Sequence, residues 1–225
     1  FKGKFGPLLI AEIGGNHEGD FSYAKKLVKL ALDTEVDVIK LQIYYPDTLV
    51  NKIIDPHRYN HFKKFTLTKN QHIELAEMCI NNGKKYLASV WDINAFNWIN
   101  NYSDFYKIGS GDLTALPLID EIINKNKPII LSTGLSNFNE IKKTVNYIIS
   151  KNKLYDNPNM LAILQCTSMY PIPESEANLN VIDLFRENFH VSVGYSDHTE
   201  DLEALYLSVL KGADLIEFHF TDNKN

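Results

Sequence analysis

Histidine side chains end two apolar segments near the C-terminus of this sequence. VGYSDH ends at His198 and IEFH ends at His219, and Ser196 and Glu217 precede them by two residues on the same predicted strand faces. Two imidazoles at equal depth on adjacent strands, about 4.8 Å apart, can bind one metal ion at about 2.0–2.2 Å. Water or substrate would complete such an open, catalytic coordination. Alternatively, each histidine is a core residue hydrogen-bonded to a neighbour, and the residues themselves favour neither interpretation.

Charged side chains interrupt further apolar segments that have the composition of strands. Glu12, Lys40 and Lys107 each lie inside such a segment, and Lys40 shares a strand face with Gln42. The opposite face must pack under helices, so we expect the polar side chains to point inward. A buried ion costs several kcal/mol unless it is paired. The three charges could simply pair with one another, but a site for a small anionic ligand explains the whole polar set better.

Eight β-rich segments alternate with amphipathic helical segments along the chain. The predicted strands are residues 8–14, 37–43, 85–91, 105–110, 128–134, 160–168, 191–198 and 215–221. Strict alternation predicts parallel strands with helical crossovers, and eight units predict a (β/α)8 TIM barrel. Most of the polar residues lie near the C-terminal strand ends, where such barrels carry their active sites. The longest irregular stretch, residues 44–66, is expected to lie over that end as a loop.

Composition excludes several classes of function. The 225 residues are 44% hydrophobic and 23% charged, with a net charge of −5. We therefore expect no nucleic-acid or anionic-membrane partner, because no global basic field is present. No apolar run approaches the roughly 20 residues that span a bilayer, and no signal-peptide core is seen. Cys79 and Cys166 lie in apolar runs and are expected to be reduced core residues of a cytoplasmic protein.

The remaining histidines carry weaker signals. His57 and His61 are expected in a polar loop and His72 in a helix, all three solvated, and His190 on the surface. His17 follows the first strand, and its involvement in a site is left open.

Eight motifs, in order along nearly the whole chain, resemble the sialic acid synthase family. They are IAEIGGNHEGD, IKLQIYYPDTLV, YLASVWD, YKIGSGDLTALPLI, ILSTGLSNFNEI, LQCTSMYPIPESEANLNVI, VGYSDHT and IEFHFT. The family includes N-acetylneuraminate synthase and its legionaminate, pseudaminate and spore-coat polysaccharide relatives. The resemblance implies a metal-dependent barrel enzyme that condenses phosphoenolpyruvate with an N-acyl amino sugar aldehyde such as N-acetylmannosamine. The expected products are a nine-carbon 2-keto sugar acid and phosphate.

The same resemblance assigns roles to individual residues. It implies that His198 and His219 bind a divalent metal, Mn²⁺ first, with Mg²⁺ or Co²⁺ as alternatives, and that Lys40 and Lys107 hold phosphoenolpyruvate. The implied catalytic residues are Glu12, Gln42, Asp112 and Tyr170, and the implied substrate-binding residues are Lys40, Ser89, Lys107, Ser110, Ser132, Ser168 and Ser196. Ser89 replaces the threonine that is more common in the family, and Ser168 replaces an asparagine found in some members.

The resemblance also bears on domain organisation. We expect residues 1–225 to form one barrel domain that stops after the eighth strand, without the last helix or the family's C-terminal antifreeze-like domain. In the family that domain supplies an arginine to the partner's sugar site, so a homodimer is expected for the full-length protein. We therefore expect the natural protein to continue beyond this sequence.

Two alternatives stay open on the sequence. One is another phosphoenolpyruvate-dependent aldol synthase that makes an eight- or seven-carbon keto acid from a phosphorylated sugar. The other is a barrel that binds sugar or phosphoenolpyruvate without catalysis.

Overall fold

Eight parallel strands form a closed barrel in chain order within residues 1–223, the part of the chain that the computed structural model describes. The strands are β1 (Leu8–Gly14), β2 (Val38–Ile43), β3 (Lys85–Val90), β4 (Tyr106–Ile108), β5 (Ile129–Ser132), β6 (Leu161–Gln165), β7 (Ser192–Asp197) and β8 (Leu215–His219). Every strand lies within the bounds predicted from the sequence. The predicted (β/α)8 fold class is therefore confirmed.

Nine α-helices alternate with the strands in the same described residues. They are α1 (Phe21–Leu32), α2 (Pro46–Leu49), α3 (Pro56–Phe65), α4 (Lys69–Asn81), α5 (Ile93–Ile99), α6 (Leu116–Ile123), α7 (Phe138–Lys151), α8 (Asn180–Asn188) and α9 (Glu203–Leu210). Local side chains determine where several of them begin. Thr68 and Gln71 form a capping box at the start of α4. In the described part of the chain, no helix is both long and apolar enough to cross a membrane.

The prediction of an irregular loop over residues 44–66 was wrong, because α2 and α3 lie there. Asp55 caps α3 by accepting a hydrogen bond from the amide of Arg58, and Pro56 occupies the first turn, where its missing N–H costs nothing. The helix buries none of its residues, so its sequence lacks the apolar stripe from which helices are recognised. His57 and His61 lie on this helix and are exposed, as expected.

The chain divides into two compact units. The β4–β8 unit consists of Phe1–Ile10 and Phe105–Phe218, and the β1–β3 unit consists of Ala11–Asp104 with the residues from His219 onward.

Five strands form the sheet of the β4–β8 unit. Each pairs in parallel with the next, and Ser196 of β7 lies directly opposite Glu217 of β8. The strands are buried along almost their whole length, so polar residues within them are enclosed.

In the β1–β3 unit, β2 pairs in parallel with β3, which places Gln42 opposite Ser89. Helix α4 contributes His72, which the sequence analysis expected to be solvated. That expectation was wrong, since His72 is 2% exposed and its Nδ1 lies 3.2 Å from the Tyr86 hydroxyl. Burial lowers the pKa of His72 to about 3, so the ring is neutral at physiological pH.

Candidate functional site

Glu12, Lys40 and Gln42 form one buried polar cluster in the β1–β3 unit, here called the Glu12 cluster. The Lys40 ammonium contacts Oε2 of Glu12, and the Gln42 amide donates to Oε1 at 3.1 Å. Two side chains from one face of β2 therefore bind separate oxygens of a carboxylate on β1. Glu12 is 2% exposed and Lys40 is 3% exposed, so both charges are removed from water and form a buried ion pair.

Gly14 makes room for this carboxylate. Its φ is +53°, and a Cβ at this position would lie 2.8 Å from Oε1 of Glu12. A side chain would be strained in that conformation and would also collide with the Glu12 cluster. The first glycine of the GG pair, Gly14 at the end of β1, is thus required by the position of the Glu12 carboxylate. Ser89, opposite Gln42 in the register, is also buried.

Lys107, Glu217 and Ser196 form a second buried cluster, in the β4–β8 unit, here called the Lys107 cluster. The Lys107 ammonium lies 3.1 Å from Oε1 of Glu217, and the Ser196 hydroxyl donates to the same oxygen at 3.0 Å. β4 and β8 are the first and last strands of the unit's five-stranded sheet, so the Lys107–Glu217 pair joins strands that are not hydrogen-bonded to each other. Both side chains must point to the concave side of that sheet, as predicted for Lys107.

Serine side chains follow at the C-terminal ends of β4, β5 and β6 in the same unit. Ser110 and Ser168 are half-buried, and Ser132 is 3% exposed. Within the described residues, the Ser132 hydroxyl has no hydrogen-bond partner. A buried hydroxyl without a partner costs roughly 1–3 kcal/mol, which a ligand that accepts its proton would remove.

A cavity of about 410 Å³ opens beside these strand ends. Its polar lining includes Thr133, Gln165, Cys166 and Ser168, and helices α7 and α8 supply an apolar wall. Its size is in the range of small-ligand sites. Asp112, in a short 3-10 helix after β4, is half-buried in the same unit.

His198 follows β7 and has a defined orientation. Its Nδ1 lies 2.6 Å from the carbonyl oxygen of Thr167, and the Tyr170 ring packs on it with a centroid separation of 4.1 Å. A carbonyl oxygen can only accept, so Nδ1 carries the proton and the lone pair of the neutral ring lies on Nε2. Metal-binding histidines are oriented in this way. Tyr170 itself is 66% exposed.

His219 ends β8 and is exposed, and it belongs to the β1–β3 unit. His219 is thus the last residue of its strand, and His198 directly follows the last residue of β7. Their joint binding of one metal stays a prediction.

Three exposed carboxylates, Glu174, Asp201 and Glu203, lie close enough to offer oxygens within 4.8 Å of one another. The sequence analysis did not anticipate this group, because Glu174 and Asp201 lie on the segments before α8 and α9 and Glu203 is the first residue of α9. Exposed acidic groups are common on protein surfaces.

Glu217 of the Lys107 cluster and Cys166 beside the cavity received no functional role from the sequence. Glu217 was placed on the same face as His219 but not assigned, and Cys166 was expected only to be a buried reduced thiol. Cys166 and Cys79 are indeed both free and buried.

The sequence analysis left open whether His17 belongs to a site. Its side chain is 2% exposed, its Nδ1 accepts a hydrogen bond from the amide of Gly19, and burial lowers the pKa of its ring. His190 is exposed, as expected.

Known proteins with similar sequences support a family assignment. The sequence model of the NeuB family matches residues 27–225. An N,N'-diacetyllegionaminic acid synthase of Campylobacter jejuni is 33% identical over 97% of this chain and 68% of its own length. An uncharacterised protein of Methanocaldococcus jannaschii is 38% identical over 96% of this chain and 63% of its own length.

A solved structure supports the same assignment. The N-acetylneuraminic acid synthetase of Leptospira borgpetersenii, crystallised with citrate, superimposes with a TM-score of 0.89 at 28% identity. The superposition covers 97% of this chain and 74% of that one. The resemblance stated from the motifs is thereby confirmed, while the chain spans about two thirds of the length of the curated relatives it matches.

Proposed function

This chain belongs to the NeuB family, whose named relatives are synthases, and from that premise we propose that it is the catalytic part of such a synthase. The proposed reaction joins phosphoenolpyruvate to an N-acyl amino sugar aldehyde, gives a nine-carbon 2-keto sugar acid and releases phosphate. N-acetylmannosamine represents the acceptor class. A cytoplasmic homodimer of the full-length protein is part of the proposal.

Two buried lysine–glutamate pairs are the observation that carries this proposal. Lys40 and Lys107 are enclosed cations, each held in place by a carboxylate. We assign them to the phosphate and carboxylate of phosphoenolpyruvate, a trianion that needs local cations because the chain as a whole is negatively charged. Each glutamate holds its lysine in place within the enclosed site through an ion pair.

Hydroxyl donors complete the proposed anion site. Ser132 has an unsatisfied buried hydroxyl in the described structure, which is the state expected of a group that donates to a ligand. We assign the same role to Ser89, Ser110, Ser168 and Ser196. Ser196 donates to Glu217 here, so it would have to change its acceptor on binding.

The chemistry assigned to Glu12 follows from its charge and its fixed position. Attack of the enol carbon on the aldehyde leaves an oxocarbenium-like centre at C2. A carboxylate held by Lys40 and Gln42 can stabilise that positive charge without reorganising. Water then adds at C2 and phosphate leaves by C–O cleavage. Asp112 and Tyr170 are assigned to the sugar side of the site.

We assign metal binding to His198, with His219 as the second ligand that the family resemblance implies. His198 fits this role, because the Thr167 carbonyl fixes its proton on Nδ1 and leaves Nε2 as the donor atom. When bound, a divalent ion such as Mn²⁺ would supply Lewis acidity that polarises the aldehyde. Imidazole with oxygen ligands accepts several divalent ions, so Mg²⁺ and Co²⁺ stay alternatives. Mn²⁺ is tested first because the family resemblance implies it.

Phosphate release tests the proposal. The protein in its natural length is incubated with phosphoenolpyruvate, Mn²⁺ and a panel of 2-acetamido sugars, with arabinose 5-phosphate as the competing acceptor. We expect release that depends on a 2-acetamido sugar. Release with arabinose 5-phosphate instead would favour the eight-carbon alternative, and calorimetric binding of phosphoenolpyruvate without release from any acceptor would favour the non-catalytic one.

A further inference from the structure

Cys166 lies directly after β6 and contacts the ends of two other strands. Its Sγ lies 3.0 Å from the Ser110 hydroxyl oxygen and accepts a hydrogen bond from the amide of Gly134 at 3.3 Å. Ser110 follows β4 and Gly134 follows β5. One sulfur atom therefore joins the C-terminal ends of β4, β5 and β6, all within the β4–β8 unit.

Gly134 shows how closely these groups are packed. A Cβ at this position would lie 2.5 Å from the Ser168 hydroxyl oxygen, 2.9 Å from that of Ser110 and 3.0 Å from Sγ of Cys166. No heavy atom fits there, so the backbone of Gly134 itself forms one wall of the cluster. Substitution of any of the three surrounding side chains changes a packed arrangement rather than an open surface.

The hydrogen bond between Cys166 and Ser110 determines where the Ser110 hydroxyl proton can point. Either group can donate in this pair, and the S–H proton of Cys166 can be donated to the Ser110 oxygen while the sulfur accepts from the Gly134 amide. When the thiol donates, the Ser110 hydroxyl proton points away from the sulfur. That proton is then available to an anion in the site.

Its position beside the cavity distinguishes Cys166 from the chain's other cysteine. Cys79 is a fully enclosed core residue of α4, and burial raises the pKa of its thiol to about 12. Cys166 is also buried, but it lines the cavity of about 410 Å³ beside the strand ends. Cys79 is therefore a matched control, a buried thiol that lines no part of this cavity.

We propose that Cys166 is a positioning residue, which orients the Ser110 hydroxyl as a donor to the anionic substrate. This inference rests on the proposed function, because it takes Ser110 to be a contact of phosphoenolpyruvate. Cys166 itself is not assigned any contact with the substrate. Its effect must therefore act through Ser110.

A double-mutant cycle tests this role. Steady-state constants are measured for wild type, Cys166→Ala, Ser110→Ala and the double variant. We expect Cys166→Ala to raise KM for phosphoenolpyruvate roughly tenfold, the size of a weakened hydrogen bond to a charged group, with kcat and the sugar KM within about twofold. In the Ser110→Ala background the same substitution should change the phosphoenolpyruvate KM by less than about twofold, since its target is gone.

Two further variants separate positioning from packing. Cys166→Ser keeps a donor and an acceptor and should recover most of the lost affinity. Cys166→Val, which also lacks the donor, replaces Cys166→Ala if that variant does not fold. Cys79→Ala should leave the phosphoenolpyruvate KM unchanged, whatever it does to the melting temperature.

The outcomes separate this inference from the proposed function. A wild-type protein that neither binds phosphoenolpyruvate in a calorimeter nor turns it over would overturn both. A wild type that binds it, combined with an unchanged KM in Cys166→Ala or an equal rise in both backgrounds, would overturn only the positioning role.

Discussion

The Glu12 cluster and the Lys107 cluster use the same charge pair in two different geometries. In the Glu12 cluster, Lys40 and Gln42 come from a single strand and bind separate oxygens of the carboxylate. In the Lys107 cluster, the two donors come from β4 and β7 and converge on one oxygen of Glu217. The first arrangement is local, and the second links distant strands of its sheet.

This difference suggests a division of labour between the two carboxylates. Two donors on separate oxygens fix the orientation of Glu12, which suits a group that must stabilise charge in a transition state. Glu217 joins β4, β7 and β8 and holds Lys107 in place, which suits a group that supports substrate binding. The following predictions separate these roles.

The largest effect is expected on folding stability when Lys107 is replaced. Lys107→Met removes the cation from a buried carboxylate and should lower the free energy of unfolding by about 3–5 kcal/mol. Lys40→Met should cost a similar amount, because each carboxylate then keeps one neutral donor, Gln42 on Glu12 and Ser196 on Glu217. Urea unfolding measures both. Adding Glu217→Gln to Lys107→Met should restore most of the lost free energy of unfolding. The glutamine has no charge to leave unpaired, and its amide oxygen can still accept a hydrogen bond from Ser196. A double variant as unstable as the single one would contradict a charge-pair explanation.

The second-largest effect is expected on turnover, which should differ between variants of Glu12 and Glu217. Glu12→Gln should lower kcat roughly 10²–10³-fold, the range seen when one electrostatic contact to a transition state is lost. Glu217→Gln should act mainly on KM for phosphoenolpyruvate through Lys107 and reduce kcat less than tenfold. Phosphate release measured over a range of phosphoenolpyruvate concentrations, with the sugar saturating, gives kcat and KM for both variants. Equal losses of kcat in the two variants would remove the proposed distinction.

Acid should affect the β1–β3 unit through His72. The folded-state pKa of His72, about 3, is below its unfolded value of 6.5, so the unfolded chain binds the proton first as pH falls. The free energy of unfolding should therefore drop by about 1.4 kcal/mol per pH unit between pH 6.5 and 3 through this residue. Above pH 6.5 it contributes no pH dependence. The difference between wild type and His72→Gln in urea unfolding at pH 7 and pH 5 isolates the contribution, and parallel pH profiles would refute it.

The smallest effects concern neighbouring hydroxyls in the β4–β8 unit. Ser132→Ala should raise stability by roughly 1 kcal/mol, because the buried hydroxyl lacks a partner in the described structure, and should weaken phosphoenolpyruvate binding. Thr133→Val should lower stability by a similar amount, because the Thr133 hydroxyl donates to the Leu164 carbonyl at 2.9 Å. Thermal unfolding should show a higher melting temperature for Ser132→Ala and a lower one for Thr133→Val than for the wild type. Destabilisation by Ser132→Ala would mean that its hydroxyl has a protein partner.

Sequence patterns predicted the strands and their buried charges because both are local signals. Glu12, Lys40 and Lys107 stand out as charges inside apolar runs, and every predicted strand is present. The partner of Lys107 was not predicted, since Glu217 lies 110 residues away and only the curvature of the folded sheet brings the two together.

Helices without an apolar stripe were also missed. α3 buries none of its residues, and its start is determined by Asp55 and Pro56 rather than by hydrophobic periodicity. The burial of His72 depends on Tyr86, a residue of β3 that no pattern within α4 reveals. The thiol of Cys166 could be recognised as buried from its apolar neighbours, but its contacts with Ser110 and Gly134 depend on three strand ends meeting.

Calorimetric titration of phosphoenolpyruvate, in the presence of Mn²⁺, tests most directly whether the buried Lys107–Glu217 pair belongs to an anion site. The wild type is compared with the Lys107→Met, Glu217→Gln double variant, which should fold with nearly wild-type stability. We expect saturable binding by the wild type and a loss of at least roughly 100-fold in affinity by the double variant, as for a charge-assisted contact removed from an enclosed site. Equal affinity in the two proteins, or no binding by the wild type, would contradict the account.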